Sequence, residues 1–236
     1  MCDICLGLSR RGFMSGAASM PFAPKARLIE PKLSLKPSGA RRVAVTLDAC
    51  PGRFDPRIAD VLIGLQIPAT IFVTVTWMHA NPGPLALLLS RPDLFTLEDH
   101  GARHLPAILG FTSIFGLAPA GSLPAIGHEV LLGGAVIAQT TGRAPVWYRG
   151  AAGFYSPPAI PFIESLGFRI AGYSLNADEG ASLPAEVVAA RISAARDGDV
   201  IVGHINQPKR ASGAGIALGL AALHAAGTRF SRLDSA

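Results

Sequence analysis

Short apolar runs alternate with helix-like segments along most of this chain. The apolar runs at residues 42–47 and 69–76 are rich in Val, Ile and Thr, which is typical of strands. In the segments between such runs, apolar residues recur three or four positions apart, which is typical of amphipathic helices. The pattern therefore predicts a strand followed by a helix, repeated about seven times along the chain.

The predicted strands and helices can be placed individually, because proline opens several helices and glycine closes others. Strands are predicted at residues 42–47, 69–76, 94–97, 145–149, 168–175, 199–204 and 228–233. Helices are predicted at residues 56–65, 84–90, 123–140, 159–166, 184–196 and 213–226, and a long loop at 105–121.

This alternation implies parallel strands joined by right-handed crossovers, in either an open doubly wound sheet or a barrel. Polar side chains follow the ends of several predicted strands, where a β/α barrel carries its active site. An open sheet would instead gather its polar groups at one switch point. We therefore predict an α/β fold, a distorted (β/α)7 barrel. The polar residues at strand ends are Asp48, His100, Arg149, Asn176, Asp178 and His204.

Composition is consistent with one globular domain spanning residues 36–236. The chain has 236 residues, of which 50% are apolar and 16% charged, so it is long and apolar enough to bury a core. No apolar run reaches the ~18 residues needed to cross a bilayer, so membrane insertion is not expected.

Basic residues dominate the N-terminal part of a chain whose net charge is +5. Residues 9–14 (SRRGFM) resemble a twin-arginine export signal, and a weakly apolar stretch follows them. We predict that residues 1–35 are an export signal and a flexible linker, and that residues 31–40 form a linker. The mature protein would then be periplasmic or secreted, and without export it would be cytoplasmic.

Nucleic-acid binding is not expected, because no surface pattern of basic and aromatic residues follows the basic segment. No protein partner is inferred from the sequence. Cys2 and Cys5 lie in the predicted leader, which leaves Cys50 alone in the mature domain. No disulfide is therefore predicted there.

Four polar residues form a candidate hydrolytic metal site. His100 and His104 are four residues apart, which on a helical turn would place both imidazoles on one face and let them bind one metal ion. Asp48 and His204 end apolar strands and would complete the site. Each also has a structural alternative, since Asp48 could cap a turn and His204 could be a core histidine bonded to backbone.

The chain resembles the polysaccharide deacetylase family, the family 4 carbohydrate esterases that share the NodB homology domain. Five sequence blocks in the family's order carry this resemblance over roughly residues 40–235. They are TLDACP at 46–51, HGARHLP at 100–106, YRGA at 148–151, NAD at 176–178 and VGH at 202–204. The resemblance implies a distorted β/α barrel, in agreement with the strand pattern.

The resemblance also implies a reaction, the metal-assisted removal of an acyl group, usually acetyl, from an N-acylated carbohydrate. The cofactor would be a divalent metal, zinc by preference, with cobalt, nickel or manganese as alternatives. Carried over residue by residue, the family's roles make His100 and His104 metal ligands, Asp48 the base, Arg149 the group that orients Asp48, His204 the general acid and Asp178 the carboxylate that holds His204.

One departure from the family's pattern puts the metal site in doubt. Ala49 stands where the family has a second Asp as metal ligand, and catalytic zinc usually keeps three protein ligands. We expect Asp48 to take this place, in which case Asp99 becomes a candidate base. Cys50 or Asp55 could instead supply the third ligand, or metal could bind weakly or not at all.

Two rival functions remain open at the level of sequence. The chain could be a carbohydrate-binding barrel that lost catalysis with the second Asp. It could also be an amidohydrolase with Cys50 as nucleophile, activated by a nearby imidazole.

Overall fold

A computed structural model describes residues 27–233 of the chain. Its strands are β1 Arg42–Ala49, β2 Ala69–Val73, β3 Phe95–Asp99, β4 Trp147–Tyr148, β5 Arg169–Ile170, β6 Leu175–Asn176, β7 Val200–His204 and β8 Arg229–Ser231. Its helices are α1 Pro56–Gly64, α2 Val75–Ala80, α3 Pro82–Leu89, α4 Leu123–Thr141, α5 Ala159–Ser165, α6 Ala185–Ser193 and α7 Ser212–Ala225.

All paired strands are parallel and belong to one sheet, in the order β5-β4-β3-β2-β1-β7-β6. This seven-stranded path curls into a half-barrel surrounded by helices, and β8 pairs with the first residues of β1. The predicted α/β class and distorted (β/α)7 barrel are therefore confirmed. The carboxyl ends of β1, β3, β4 and β7 lie at one rim, as parallel pairing requires.

The strand predicted at residues 168–175 is wrong in one respect, because it is two strands at opposite ends of the sheet path. β5 pairs with β4, whereas β6 pairs with β7. Residues 171–174 run between them, where Ala171 N–H donates to Tyr148 and Ser174 N–H donates to Val200. Both ends of this largely apolar segment are strands, so periodicity could not reveal that the chain changes pairing partner within it.

The strand predicted at residues 69–76 is too long, since β2 ends at Val73 and α2 follows. Thr74 caps this helix, with its hydroxyl accepting from the Trp77 N–H. The Thr and Val residues favour a strand locally, but the cap and the tertiary packing determine the helix.

Alternation along β1 divides the core into two sides. Val43, Val45, Leu47 and Ala49 belong to the larger apolar cluster, which also contains residues of α1 and α7. Ala44 belongs to a second cluster with residues of β2, β4 and β7. Each large aliphatic side chain buried this way stabilises the fold by ~1.5–3 kcal/mol.

The segment predicted as a linker contains no helix or strand, but it packs against the domain. Ile29 forms a backbone bridge with Tyr155, Ser34 forms one with Asp199, and the Leu35 side chain is only 6% exposed. The predicted export signal at residues 1–26 lies outside the described residues, and the boundary near residue 35 stays a prediction. Among the residues described, no helix is long and apolar enough to span a bilayer.

Candidate functional site

The polar residues predicted for the site converge at the carboxyl rim of the half-barrel. Asp48 and His204 lie side by side, as register partners at the ends of the neighbouring strands β1 and β7. His100 follows β3, and Arg149 follows β4, whose last residue pairs with the end of β3. Parallel pairing thus brings together residues that are up to 156 positions apart in the chain.

The helical turn predicted for His100 and His104 is wrong, because residues 100–104 form a loop. Gly101 and His104 have φ angles of 86° and 68°, in the left-handed region that ends helical geometry. The two imidazole rings nevertheless meet edge to face, with centroids 4.9 Å apart. The two imidazoles are therefore neighbours, as the four-residue spacing predicted, but a loop rather than a helical turn brings them together.

Cys50 joins these histidines to form a set of possible metal donors. Its Sγ lies 3.3 Å from His100 Nε2, and the three donor atoms of Cys50, His100 and His104 lie within 4.8 Å of one another. His104 Nε2 is buried and has no hydrogen-bond partner in the part of the chain that the structure describes. An unpartnered buried nitrogen beside a thiol and a second imidazole fits a divalent metal, which would satisfy all three donors.

The second nitrogen of His100 fixes how its ring is oriented. Nδ1 lies 2.6 Å from the backbone oxygen of Arg149, which can only accept a hydrogen bond. Nδ1 must therefore carry a proton and donate it, which directs Nε2 towards Cys50. Metal-binding histidines are commonly oriented by such a contact.

Buried ionic contacts with His100 shift the pKa values of this pair. Burial by itself would lower the pKa of His100, but the nearby Asp48 and Cys50 raise it to about 9. Burial by itself would raise the pKa of the Cys50 thiol, but His100 and the other imidazoles hold it well below its usual range. Both shifts favour a thiolate on Cys50 beside an imidazolium on His100.

Asp48 is held as a carboxylate by Arg149. Arg149 Nη1 donates to Asp48 Oδ1 at 2.8 Å, while its other N–H groups donate to Ala171 and Gly172 carbonyls. Burial by itself would raise the pKa of Asp48, but Arg149, His100 and His204 together lower it below its usual value. Asp48 Oδ2 lies 4.0 Å from His100 Nε2, and within residues 27–233 Asp48 is outside the three-donor set.

His204 and Asp178 form the second ion pair of the rim. Asp178 is fully buried and accepts from both the ring Nδ1 and the backbone N–H of His204, each at 2.8 Å. Burial by itself would lower the pKa of His204, but Asp178 and Cys50 together raise it well above its usual value. His204 is therefore positioned to hold a proton at neutral pH.

Asp55 and Asp99, which the sequence offered as alternative ligand and base, lie away from the donor set. Asp55 caps α1 and pairs with Arg57 at 2.6 Å. Asp99 Oδ1 accepts from Gly101 N–H and lies against Gly133 of α4, on the outer side of β3. Both carboxylates serve the local fold, although their possible catalytic roles stay untested.

Sequence reasoning missed Glu129, which supports the histidine loop from α4. Its Oε1 accepts from the backbone N–H groups of Arg103 at 2.6 Å and Leu105 at 3.1 Å. These two residues flank His104. In the sequence, Glu129 could have been noticed as a carboxylate on the same helix face as the apolar residues Ile126 and Val130, which are buried.

Comparison with known proteins assigns this chain to a family. A family model described as polysaccharide deacetylase matches residues 36–171, more than half of the chain. No curated protein sequence matches the chain.

Solved structures with the same fold include enzymes and a pseudoenzyme. A peptidoglycan N-acetylglucosamine deacetylase, solved with a substituted benzamide, is 18% identical with a TM-score of 0.70, over 86% of this chain and 91% of that one. A family 4 acetyl xylan esterase from Clostridium thermocellum, solved with a cobalt ion, is 22% identical with a TM-score of 0.64, over 83% and 89%. A CE4 family pseudoenzyme from Bacillus anthracis is 14% identical with a TM-score of 0.67, over 86% and 67%. At these identities the likeness concerns the fold alone.

Proposed function

This chain belongs to the polysaccharide deacetylase family, and on that premise we propose that it is a metal-dependent hydrolase that removes acetyl groups from an N-acetylated carbohydrate. The observation that carries this proposal is that two ion pairs, Asp48 with Arg149 and His204 with Asp178, lie at the same rim as His100 and His104. One pair supplies a base and the other an acid.

The metal has a defined place in this proposal. His100 and His104 would hold a divalent ion, zinc by preference, which when bound supplies Lewis-acid polarisation of the acyl carbonyl. The remaining chemistry comes from side chains of the chain itself.

Asp48 is suited to accept a proton from the attacking water. Arg149 keeps its carboxylate ionised and oriented, and Asp48 lies 4.0 Å from the imidazole of His100. An ionised base beside the acyl carbon is what amide hydrolysis requires in its first step.

His204 is suited to protonate the departing amine. Asp178 binds its Nδ1, which leaves Nε2 as the nitrogen able to donate, and the side chain remains 19% exposed at the rim. Because an unprotonated amine is a poor leaving group, this proton completes cleavage of the C–N bond.

Two rivals keep specific support. Ala49 in place of the family's second Asp, together with the pseudoenzyme fold neighbour, favours a barrel that binds sugar without turnover. The contact of Cys50 with His100 at 3.3 Å favours an amidohydrolase with a cysteine nucleophile.

Acetate release from N-acetylated glycans, measured with and without chelation, separates these functions. We expect turnover that chelation abolishes and zinc restores, and that Asp48→Asn or His204→Ala reduces by ~10²-fold or more. His128→Ala, on the exposed side of α4, is the matched control and should leave turnover unchanged.

Contrary outcomes are equally distinct. Activity that survives chelation but is lost on thiol alkylation would support the cysteine nucleophile. Sugar binding without acetate release would support the binding barrel.

Periplasmic location through twin-arginine export is a separate proposal, supported by the arginine pair at residues 10 and 11 and tested by exchanging both for lysine.

A further inference from the structure

Ala49 stands where the family has a metal-binding Asp, and the next residue, Cys50, has a side chain that can bind metal. Ala49 is fully buried and belongs to the apolar cluster behind the sheet, together with Val43, Val45 and Leu47. A side chain at this position therefore lies on the opposite face of β1 from Asp48. Cys50, which follows the end of the strand, has its sulfur within 3.3 Å of His100 Nε2.

We propose that Cys50 is the third protein ligand, so that the centre is a Cys-His-His site rather than a carboxylate-His-His site. This ligand set rests on the metal dependence of the proposed function and specifies its chemistry. The three donors are Cys50 Sγ and one nitrogen each from His100 and His104.

The spacing of the donors supports a tetrahedral ion. Zinc–sulfur and zinc–nitrogen distances imply ligand atoms ~3.3–3.6 Å apart around a tetrahedral centre. The upper end, ~3.6 Å, applies to a sulfur–nitrogen pair. The Cys50–His100 distance of 3.3 Å is close to it, and the full set is contained within 4.8 Å. His104 Nε2 is free to take part, since among residues 27–233 it has no competing hydrogen bond.

The environment of Asp48 supports the same assignment. One of its oxygens is bound to Arg149 at 2.8 Å, and the carboxylate lies outside the donor set among the described residues. With Cys50 on the metal, Asp48 remains free to act as base. The conflict between the two roles of Asp48 therefore disappears.

Thiolate is a soft ligand, which gives this centre a metal preference. Sulfur favours zinc and cobalt over manganese and magnesium, whereas a carboxylate is compatible with all of them. The site should therefore bind zinc and cobalt but discriminate strongly against manganese.

Cobalt spectroscopy of the full chain tests this ligand set without measuring activity. The leader cysteines would compete for cobalt, so the parent protein carries Cys2→Ser and Cys5→Ser. We expect about one cobalt ion per chain, tetrahedral visible bands, and a near-ultraviolet thiolate-to-cobalt charge-transfer band. Bound zinc should also protect Cys50 from alkylation.

Two substitutions distinguish ligation from a structural effect. Cys50→Ala should lose the charge-transfer band and at least tenfold in zinc affinity. Cys50→Asp should lose the band yet recover metal binding, now with weaker discrimination against manganese. The recovery would show that the loss in Cys50→Ala does not arise from misfolding.

The thiolate ligand is overturned if cobalt binds to the parent without a charge-transfer band, or if Cys50→Ala binds zinc as tightly as the parent. Metal-dependent acetate release in that protein would leave the proposed function standing. Conversely, a charge-transfer band in a protein that releases no acetate would uphold the centre and contradict the deacetylase.

Discussion

Asp178 binds His204 twice, and this residue-scale contact controls the charge of the proposed acid. One carboxylate oxygen accepts from the ring and the other from the backbone N–H. The backbone bond fixes where the carboxylate sits, and the ring bond favours the imidazolium. The raised pKa of His204 thus follows from a fixed geometry rather than from exposure to solvent.

Asp178→Asn should lower the pKa of His204, because the amide has nearly the same shape but carries no negative charge and can accept only one of the two hydrogen bonds from His204. The basic limb of the kcat/KM profile, where the acid loses its proton, should then move to lower pH. Proton NMR titration of His204 in the chelated protein checks the pKa directly. Glu179→Gln, an exposed neighbour, is the control, and an unchanged His204 titration in Asp178→Asn would contradict the assignment.

At the scale of elements, α4 supports the loop that carries both histidines. Glu129 extends from this helix and accepts from two backbone N–H groups, while Gly133 allows the helix to approach Asp99 closely. A Cβ at Gly133 would collide with the Asp99 carboxylate, so the helix and β3 are held at contact distance. The geometry of the loop therefore depends on how α4 packs.

Glu129→Ala should leave two backbone donors near His104 without their acceptor, which would cost ~1–3 kcal/mol in unfolding free energy. Zinc affinity should fall by ~10-fold or more, because the loop would no longer hold His104 in place. Chemical denaturation and zinc competition titration measure the two effects. Glu164→Ala, on the exposed side of α5, should change neither, and undiminished zinc affinity in Glu129→Ala would exclude this supporting role.

At the scale of the whole molecule, metal binding and folding should be linked. The three donors come from the residue after β1 and from the loop after β3, so an ion bound to all of them would favour the folded chain. At a free zinc concentration a thousandfold above Kd, this linkage amounts to ~4 kcal/mol. Chelation should lower Tm accordingly.

The linkage should also depend on pH. His100 has a pKa of about 9 in the metal-free protein, so its Nε2 must lose a proton before binding metal. Zinc affinity should therefore rise by about tenfold per pH unit below that value and fall on acidification. Titration against a chromophoric chelator between about pH 6 and 8 measures this slope. An affinity independent of pH over this range would contradict a raised pKa for a ligating His100.

Most of the architecture could be predicted from the sequence because it is encoded locally. The strands at 42–47 and 199–204, and the helices at 56–65 and 123–140, carry their signals in apolar period, proline starts and glycine stops. The split of residues 168–175 into two strands could not be predicted, because the partner of each half is chosen by the curl of the sheet.

The candidate site divides in the same way. Its members could be found in sequence because Asp48, His100, Arg149 and His204 follow strand ends, where a parallel fold collects functional groups. The packing of α4 determines that residues 100–104 form a loop and that Glu129 supports this loop. That Ala49 and Cys50 occupy different faces of the strand end was likewise invisible in a linear pattern.

The sequence by itself thus determined the α/β class, the order of the elements and the kinds of groups at the rim, since these depend on neighbours within a few residues. The tertiary structure alone decided which donors meet, because a distance between residues 50 positions apart is set by strand pairing and packing. It is this packing that places the Cys50 sulfur beside His100 and leaves Asp48 with Arg149.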